Sequence, residues 1–414
     1  MKTRQISEFK ETEIGKIPED WELKQLQEIS TVIDSAHITP KYSTDGYSMV
    51  RVKDIKKGFL DLSETLKVSK KVYEEFTKNH IPKKNDIVMG RVGTYGVVSY
   101  VDTDIPFCLG QNTVVINSSI NQFIFHALNS KLVQNQIEER VGGSTQKTIS
   151  LKDIRELLVA KPTKSEEINH IAKILFNQEF KIQNLQNQNK ILEQITTTIF
   201  KSWFVDFDGV TEFEDSELGQ IPKGWKVLKF SDVVEIMGGG TPSTKYEEYW
   251  NGEIKWVTID DIKQGCYISD TEKKITKIGM EKSSAKILPK NTIVISARGT
   301  VGIFSILSEP MSINQSCYGL KGKNIENEIY LYFLLRFSLL EFLQKVHGTV
   351  FDTITRKTFE EITIICPPDE KIELFQNYMK PIFQMILKNQ LQIQQLGISR
   401  DILLPKLMSG EIRV

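Results

Sequence analysis

The clearest pattern along the chain is a stretch almost free of turn residues that begins at Ser165, SEEINHIAKILFNQEFKIQNLQNQNKILEQITTTIF. Steps alternating between three and four residues from Ile168 land on Ile171, Leu175, Gln178, Ile182, Leu185, Asn189, Leu192, Thr196 and Ile199. Most of these are apolar, and a 3–4 alternation is the seam of a coiled coil. The same stripe returns 204 residues later as Phe375, Met379, Ile382, Ile386, Asn389, Ile393, Leu396, Arg400 and Leu403. Pro381 falls inside the second stripe and predicts a kink or a restart, because proline has no N–H to give the helix. Two matching seams in one chain predict long helices that pack on each other as an antiparallel pair. Packing of each helix on its own domain is the simpler alternative. Asn189 and Asn389 favour mutual pairing, since a polar residue on a seam sets register at some cost in stability.

Ahead of each long helix the pattern changes to short β-branched runs such as NDIVMG and NTIVISA, which read as buried strands bounded by glycine and proline. A short helix follows in each half (NQFIFHALNSKLVQNQIEER, then NEIYLYFLLRFSLLEFLQKV), before a last strand ending at Pro162 or Pro367. The halves also share phrases. IGKIPEDW at 14–21 matches LGQIPKGW at 218–225, VRVKDIKKG from Val50 matches VTIDDIKQG from Val257, and DIVMGRVGTYGVVS from Asp86 matches TIVISARGTVGIFS from Thr292. GQN at Gly110 meets NQS at Asn314, and VGGSTQKTIS from Val141 meets VHGTVFDTIT from Val346. A period near 204 residues is too long for a solenoid and indicates duplicated domains. The expected fold is mixed α/β (α+β). It has one domain at 1–162, a spacer helix at 163–208, a second domain at 209–368 and a second spacer helix at 369–414. Trp21 and Trp225, which close the repeated entry phrase, are expected to be packing anchors.

Composition narrows the function more than the fold. With 53 basic and 53 acidic residues the net charge is zero, which excludes an indiscriminate polyanion binder but not a local basic patch. Cys108, Cys266, Cys317 and Cys366 lie far apart without a CxxC pair, and are expected to be reduced, buried thiols of a cytoplasmic protein. The polar N-terminus lacks the apolar core of a signal peptide, and no stretch approaches the ~18 apolar residues of a spanning helix. Catalytic signatures are missing. CPPDE at Cys366 lacks the polar leader and aromatic follower of an adenine methyltransferase, and GGGTPSTK lacks the spacing of a phosphate-binding loop. Asp369, Glu370 and Lys371 read as the start of a helix, and the five histidines form no i, i+4 metal pair. No catalytic residue, metal site or cofactor is expected in this chain.

The ordered set IPKGW, MGGGTPSTKYEEYWNGEIKWVTIDDI, SARGTVG and NQS, followed by a long glutamine-rich helix, resembles the DNA-specificity subunit of type I restriction–modification systems. The resemblance covers nearly the whole chain, with SWFVDFDG and LLPKLMSGEI similar to the ends of that family's spacers. It implies two target-recognition domains, each reading half of an interrupted duplex target, with helical spacers that set the gap. It further implies docking of two methyltransferase subunits that carry S-adenosylmethionine and methylate adenine. A separate motor–nuclease subunit, using ATP and Mg2+, would cleave. An orphan DNA reader or methylation-only partner, and a structural adaptor whose end domains bind protein, remain open.

Base reading favours arginine for guanine and asparagine or glutamine for adenine, while lysine, serine, threonine and backbone N–H groups hold phosphates. On that chemistry the candidate contacts in the first half are Thr39, Lys41, Tyr42 and Ser43, then Arg91, Thr94 and Tyr95 in RVGTYG, then Gln111 and Asn112. GGSTQKT adds Ser144, Thr145, Gln146 and Lys147. The second half offers Thr241, Ser243, Lys245 and Tyr246, then Arg298 and Thr300, then Gln315 and Ser316, and Thr349 in HGTVFDT, where Asp352 replaces the lysine. Arg91 falls opposite Ala297 and Arg298 opposite Val92, so the two arginines do not align. Each of these loops also reads as an ordinary hairpin or polar surface turn.

Overall fold

The computed structural model describes residues 8–142, 147–263, 265–323, 327–346 and 353–414. The chain forms two compact units, Met1–Asn184 with Gln394–Val414, and Leu185–Ile393. Each long helix therefore contributes one half to each unit, which consecutive segments of sequence do not reveal.

In the first unit a five-stranded sheet runs in the order Thr31–Asp34, Thr113–Asn117, Ile87–Gly90, Val98–Tyr100, Gly58–Phe59. Only the last pairing is parallel. The central residues Ile87, Val88, Met89, Val98, Val114 and Ile116 are fully buried, as a β-branched run covered on both faces should be. The second unit repeats this sheet strand for strand: Val234–Gly238, Cys317–Gly322, Ile293–Ser296, Phe304–Leu307, Tyr267–Ile268.

A four-stranded sheet stands beside it in each unit, and here the copies diverge. They share a trio, Tyr47–Val50 flanked by Leu66–Val68 and Phe107–Leu109, matched by Trp250–Val257 flanked by Lys273–Ile275 and Met311–Ile313. The fourth strand is added at opposite edges. Tyr42–Ser43 pairs with Leu66–Val68 in the first unit, whereas Ile287–Leu288 pairs with Met311–Ile313 in the second.

The long helices span Ser165–Phe204 and Asp369–Met408. In the first unit Gln178 donates to Ser399 Oγ (3.2 Å) and Glu179 pairs with Arg400 (2.8 Å). Nearer the first helix's start, Glu167 meets Arg413. Numbers rise along the first helix as they fall along the second helix and the segment just past its end, so these halves are antiparallel. In the second unit Asn389 Nδ2 donates to Asn189 Oδ1 (2.9 Å), and Asn189 Nδ2 to the Ile386 carbonyl (3.2 Å). Phe200 and Phe375 meet further along, again antiparallel. Ile171, Leu175, Ile182, Leu185, Phe375, Met379, Ile386 and Asn389 are buried, and Asn189, Leu192, Ile199, Ile382, Ile393, Leu396 and Leu403 partly so. The seam reading missed Phe200, Phe204 and Phe383, which belong to an aromatic cluster with Tyr330 and Phe333. The helix also continues through Pro381 without restarting. Pro381 and Asn377, whose carbonyl loses its usual donor, are both exposed, so water can replace the missing bond.

Two further expectations change. The segment after Ile120 is two helices, Asn121–Asn129 and Lys131–Arg140, broken at extended Ser130, while its counterpart is continuous over Glu328–Val346. The Ser130 hydroxyl donates to the Ala127 carbonyl, a local bond that competes with helix continuation. Cys108, Cys266 and Cys317 are buried free thiols, but Cys366 is only partly covered. Burial pushes the Cys108 and Cys317 thiols up to about 12, so both stay protonated near neutral pH.

The repeated entry phrase is a packing device. Ile17 and Trp21 are buried, and the Trp21 ring lies under the Arg413 guanidinium beside Gly410. Trp225 packs on Phe204 and Phe207, at and just past the end of the first long helix within the second unit. Each phrase thus closes a unit against the segment that follows a long helix.

Candidate nucleic-acid interface

Most of the candidate loops in each unit are stitched together by backbone hydrogen bonds at one end of the five-stranded sheet. In the first unit Arg91 N–H donates to the Asn112 carbonyl (2.9 Å), Gly93 N–H to Lys147 (3.3 Å), and Ile149 N–H to Arg91 (3.0 Å). Thr94 Oγ1 reaches the Val52 carbonyl (3.4 Å), and Tyr95 donates to Glu138 (3.0 Å) with Lys147 above its ring. Gly93 and Gly96 have φ of 71° and 74°, a left-handed geometry that permits the tight return between strands. Asn112 also has positive φ (62°). Thr39 and Lys41 are exposed on the approach to the edge strand that holds half-exposed Tyr42 and partly buried Ser43. Ser144, Thr145 and Gln146 lie outside the described residues; Lys147 is exposed.

The second unit reproduces the register. Ala297 N–H donates to Ser316 (2.7 Å), Ile354 N–H to Ala297 (2.9 Å), and Gly302 N–H to Ser296 (3.0 Å), each the counterpart of a first-unit bond. Position 91 therefore corresponds to 297, and the sequence offset between the arginines is real. Its consequence is chemical. Arg91 is 13% exposed, and its Nη1 lies 2.8 Å from both oxygens of Asp34, which also receives His37. At the matching places the second unit has a buried Ala297 and an exposed Gly238, so the ion pair is replaced as a unit. Arg298, one residue along, is exposed, as are Gly299 and Thr300. Of the two arginines, Arg298 is the one presented to solvent and Arg91 is committed to Asp34.

The glycine run at 238–240 also finds its reason. A Cβ on Gly239 would sit 2.0 Å from the Asn314 carbonyl oxygen, and one on Gly240 2.2 Å from Ala285 N. Gly240 N–H donates to Ile313, and its carbonyl accepts from the Trp256 indole (2.9 Å). The run is a close-packing joint that holds the following loop beside Asn314–Ser316. That loop exposes Ser243, Lys245 and Tyr246, with Thr241 partly covered and the Tyr246 ring against Tyr249. Gln315 is exposed and Ser316 partly so, whereas Gln111 and Asn112 in the first unit are both partly covered. Thr349 and Asp352 lie outside the described residues.

Sequence reading missed Arg51. Its guanidinium pairs with Asp54 (2.8 Å), whose carboxylate also accepts the Arg51 N–H (2.9 Å). The hydrogen bonds to Asp54 hold the Arg51 pKa above its ordinary value. Thr258 and Asp261 repeat the backbone bond (2.7 Å), so the shared VRVKD and VTIDD phrases encode a helix cap. The signal was legible as a residue with aspartate three places on.

A duplicated sheet frame that presents polar, lysine- and arginine-bearing loops from one end, with different chemistry in each copy, is the design of a two-part recognition protein. The sequence comparisons identify what is recognised. A model of the type I restriction modification DNA specificity domain matches residues 18–196 and again 222–397, and the chain belongs to that family. The MjaIX type I restriction enzyme specificity subunit of Methanocaldococcus jannaschii is 27% identical over 434 residues, spanning 100% of this chain and 98% of that protein. The HindI specificity subunit of Haemophilus influenzae is 26% identical, spanning 80% and 87%. The crystal structure of a type I restriction–modification S subunit from M. genitalium shares the fold, with a TM-score of 0.60 at 16% identity over 94% of this chain and 96% of that one. The chain is a DNA-specificity subunit, a recognition protein and not a catalyst. Among the described residues no helix is long and apolar enough to cross a membrane.

Proposed function

We propose that each unit reads one half of an interrupted duplex target through its loop cluster, and that the long helices set the gap and dock two methyltransferase subunits for adenine methylation. The observation that carries this reading is the exchange at matched positions. Asp34–Arg91 in one unit and Gly238–Ala297 with exposed Arg298 in the other give one frame two surface chemistries, as two different half-sites require. Exposed apolar residues support helix docking: Ile398 and Ile402 in the first unit, and Ile191, Ile195, Leu374 and Tyr378 in the second. S-adenosylmethionine then belongs to the methyltransferase, and ATP and Mg2+ to a separate motor–nuclease subunit that cleaves unmodified DNA.

The test is co-expression with a methyltransferase subunit from the same host, followed by mapping of modified adenines by single-molecule sequencing. An interrupted motif with one modified adenine in each half is the expected result. A stable complex that modifies no adenine would reduce the chain to an orphan reader. Absence of both a complex and duplex binding would favour a structural adaptor.

A further inference from the structure

The hairpins that carry Thr94 and Arg298 share one backbone pattern but are fastened differently. Each leaves the last residue of the central strand, Gly90 in one unit and Ser296 in the other. Gly90 N–H donates to the Val97 carbonyl (3.1 Å), and the Gly90 carbonyl accepts from Gly96 N–H (3.0 Å). Ser296 makes the same two bonds with Ile303 (2.9 Å) and Gly302 (3.0 Å). The matched residues therefore differ only by a hydroxymethyl group.

That group is spent on the hairpin. Ser296 is fully buried, and its hydroxyl donates to the Thr300 carbonyl and accepts from the Ile303 N–H (3.1 Å). In the first unit the space is taken. A Cβ on Gly90 would lie 3.0 Å from the Thr94 carbonyl oxygen and 3.2 Å from Val52 Cγ1. The first hairpin is held from outside instead, by Tyr95 donating to Glu138 (3.0 Å) and Thr94 to the Val52 carbonyl (3.4 Å). Val301 stands in the place of Tyr95, and its side chain has no polar atom to offer.

Arg298 lies between the points fixed in this way. Before it, Ala297 N–H donates to the Ser316 carbonyl (2.7 Å), and the Ala297 carbonyl accepts from Ile354 N–H (2.9 Å). After it, the Thr300 carbonyl is held by the Ser296 hydroxyl. Arg298 and Gly299 are exposed between these anchors, and Gly299 turns the chain with a φ of 74°. An arginine reads a base edge through paired, directional hydrogen bonds, so its aim depends on the backbone beneath it.

We propose that Ser296 is a positioning residue for the half-site read by the second unit, its buried hydroxyl setting the hairpin that presents Arg298. The proposal rests on the reading of these loop clusters as the DNA-reading surface. The first unit reads its half without this device.

The experiment uses the full chain co-purified with a methyltransferase subunit from the same host. Its substrates are duplexes carrying the methylated motif or single-base changes in either half. The half read by the second unit is the one whose methylation preference over its variants falls in Arg298→Ala. Ser296→Ala should fold, since Gly90 shows that the strand end forms without the hydroxyl. It should lower the preference at that half by about fivefold or more, and change the other half by less than about twofold. Ser296→Thr keeps the hydroxyl and should restore the preference. In an Arg298→Ala background Ser296→Ala should have no further effect, whereas a purely structural loss would add. Equal losses at both halves, additive losses, or a threonine variant no better than alanine would overturn the proposal. If Arg298→Ala leaves both halves intact, the reading of this hairpin as a DNA contact fails, and the proposal with it. If Arg298→Ala lowers the preference and Ser296→Ala does not, the positioning role alone fails.

Discussion

At the residue scale, the two offset arginines should behave as different kinds of side chain. Arg91→Ala strands the Asp34 carboxylate with only His37, and should lower stability by about 1–3 kcal/mol in thermal or urea unfolding. Arg298→Ala removes an exposed side chain, and should change stability by less than about 0.5 kcal/mol. In the assembled complex it should weaken DNA binding by roughly 1–3 kcal/mol, the range of one good base contact. A destabilised Arg298 variant with unchanged binding would refute that division. His126 is a second residue with a measurable signature. It is buried among Phe125, Phe176 and the Arg400 charge, and its Nε2 is unpaired. Burial first, then Arg400, pulls its pKa down to about 3. The folded value lies below the unfolded one of ~6.5, so the unfolded chain takes up the proton first as pH falls. This contribution is whole above pH ~6.5 and declines below it, by about 1.4 kcal/mol at pH ~5.5. His126→Phe should flatten that slope in urea unfolding measured across pH, and an unchanged slope would assign it to other groups.

At the element scale, the seam carries its specificity in one polar pair. Asn389 is buried and bonded to Asn189, which is bonded in turn to the Ile386 carbonyl. Replacing Asn389 alone by leucine leaves the Asn189 amide short of a partner and should cost about 1–3 kcal/mol. Replacing both by leucine should recover that loss and raise the melting temperature above the parent's, at the expense of register. A double variant no more stable than the single one would show that the pair is not coupled. The elements also explain the repeated phrases. VRVKD and VTIDD recur because each caps a short helix, and IPEDW and IPKGW recur because each packs against the segment after a long helix.

At the scale of the whole molecule, zero net charge bears on affinity. Nonspecific DNA binding grows with the number of phosphates neutralised, so the isolated chain should bind duplex DNA weakly. The complex with methyltransferase should bind more tightly and show a steeper dependence on salt, measured by fluorescence anisotropy at several ionic strengths. Equal slopes would mean that the partners supply no phosphate contacts. Exchange of residues 1–162 for the corresponding part of another specificity subunit should alter one half of the methylated motif and leave the other unchanged. An alteration of both halves would count against independent reading.

The sequence by itself determined the duplication, the mixed α/β class, both long helices and the family, because these rest on periodicity and on phrases repeated at a fixed shift. It also placed the offset of Arg91 and Arg298 correctly, since the backbone register follows the alignment. Only the tertiary structure decided what the offset means: Asp34, distant in sequence, claims Arg91, and no local pattern announces a partner 57 residues away. The same limit hid the aromatic cluster beside the seam, whose members meet Tyr330 and Phe333 of a distant helix as well as Phe375. It hid the opposite edge strands, which depend on which neighbour leaves an edge free. Local sequence fixes spacing and backbone preference, while long-range packing chooses which polar side chains are spent inside the protein and which remain presented to solvent.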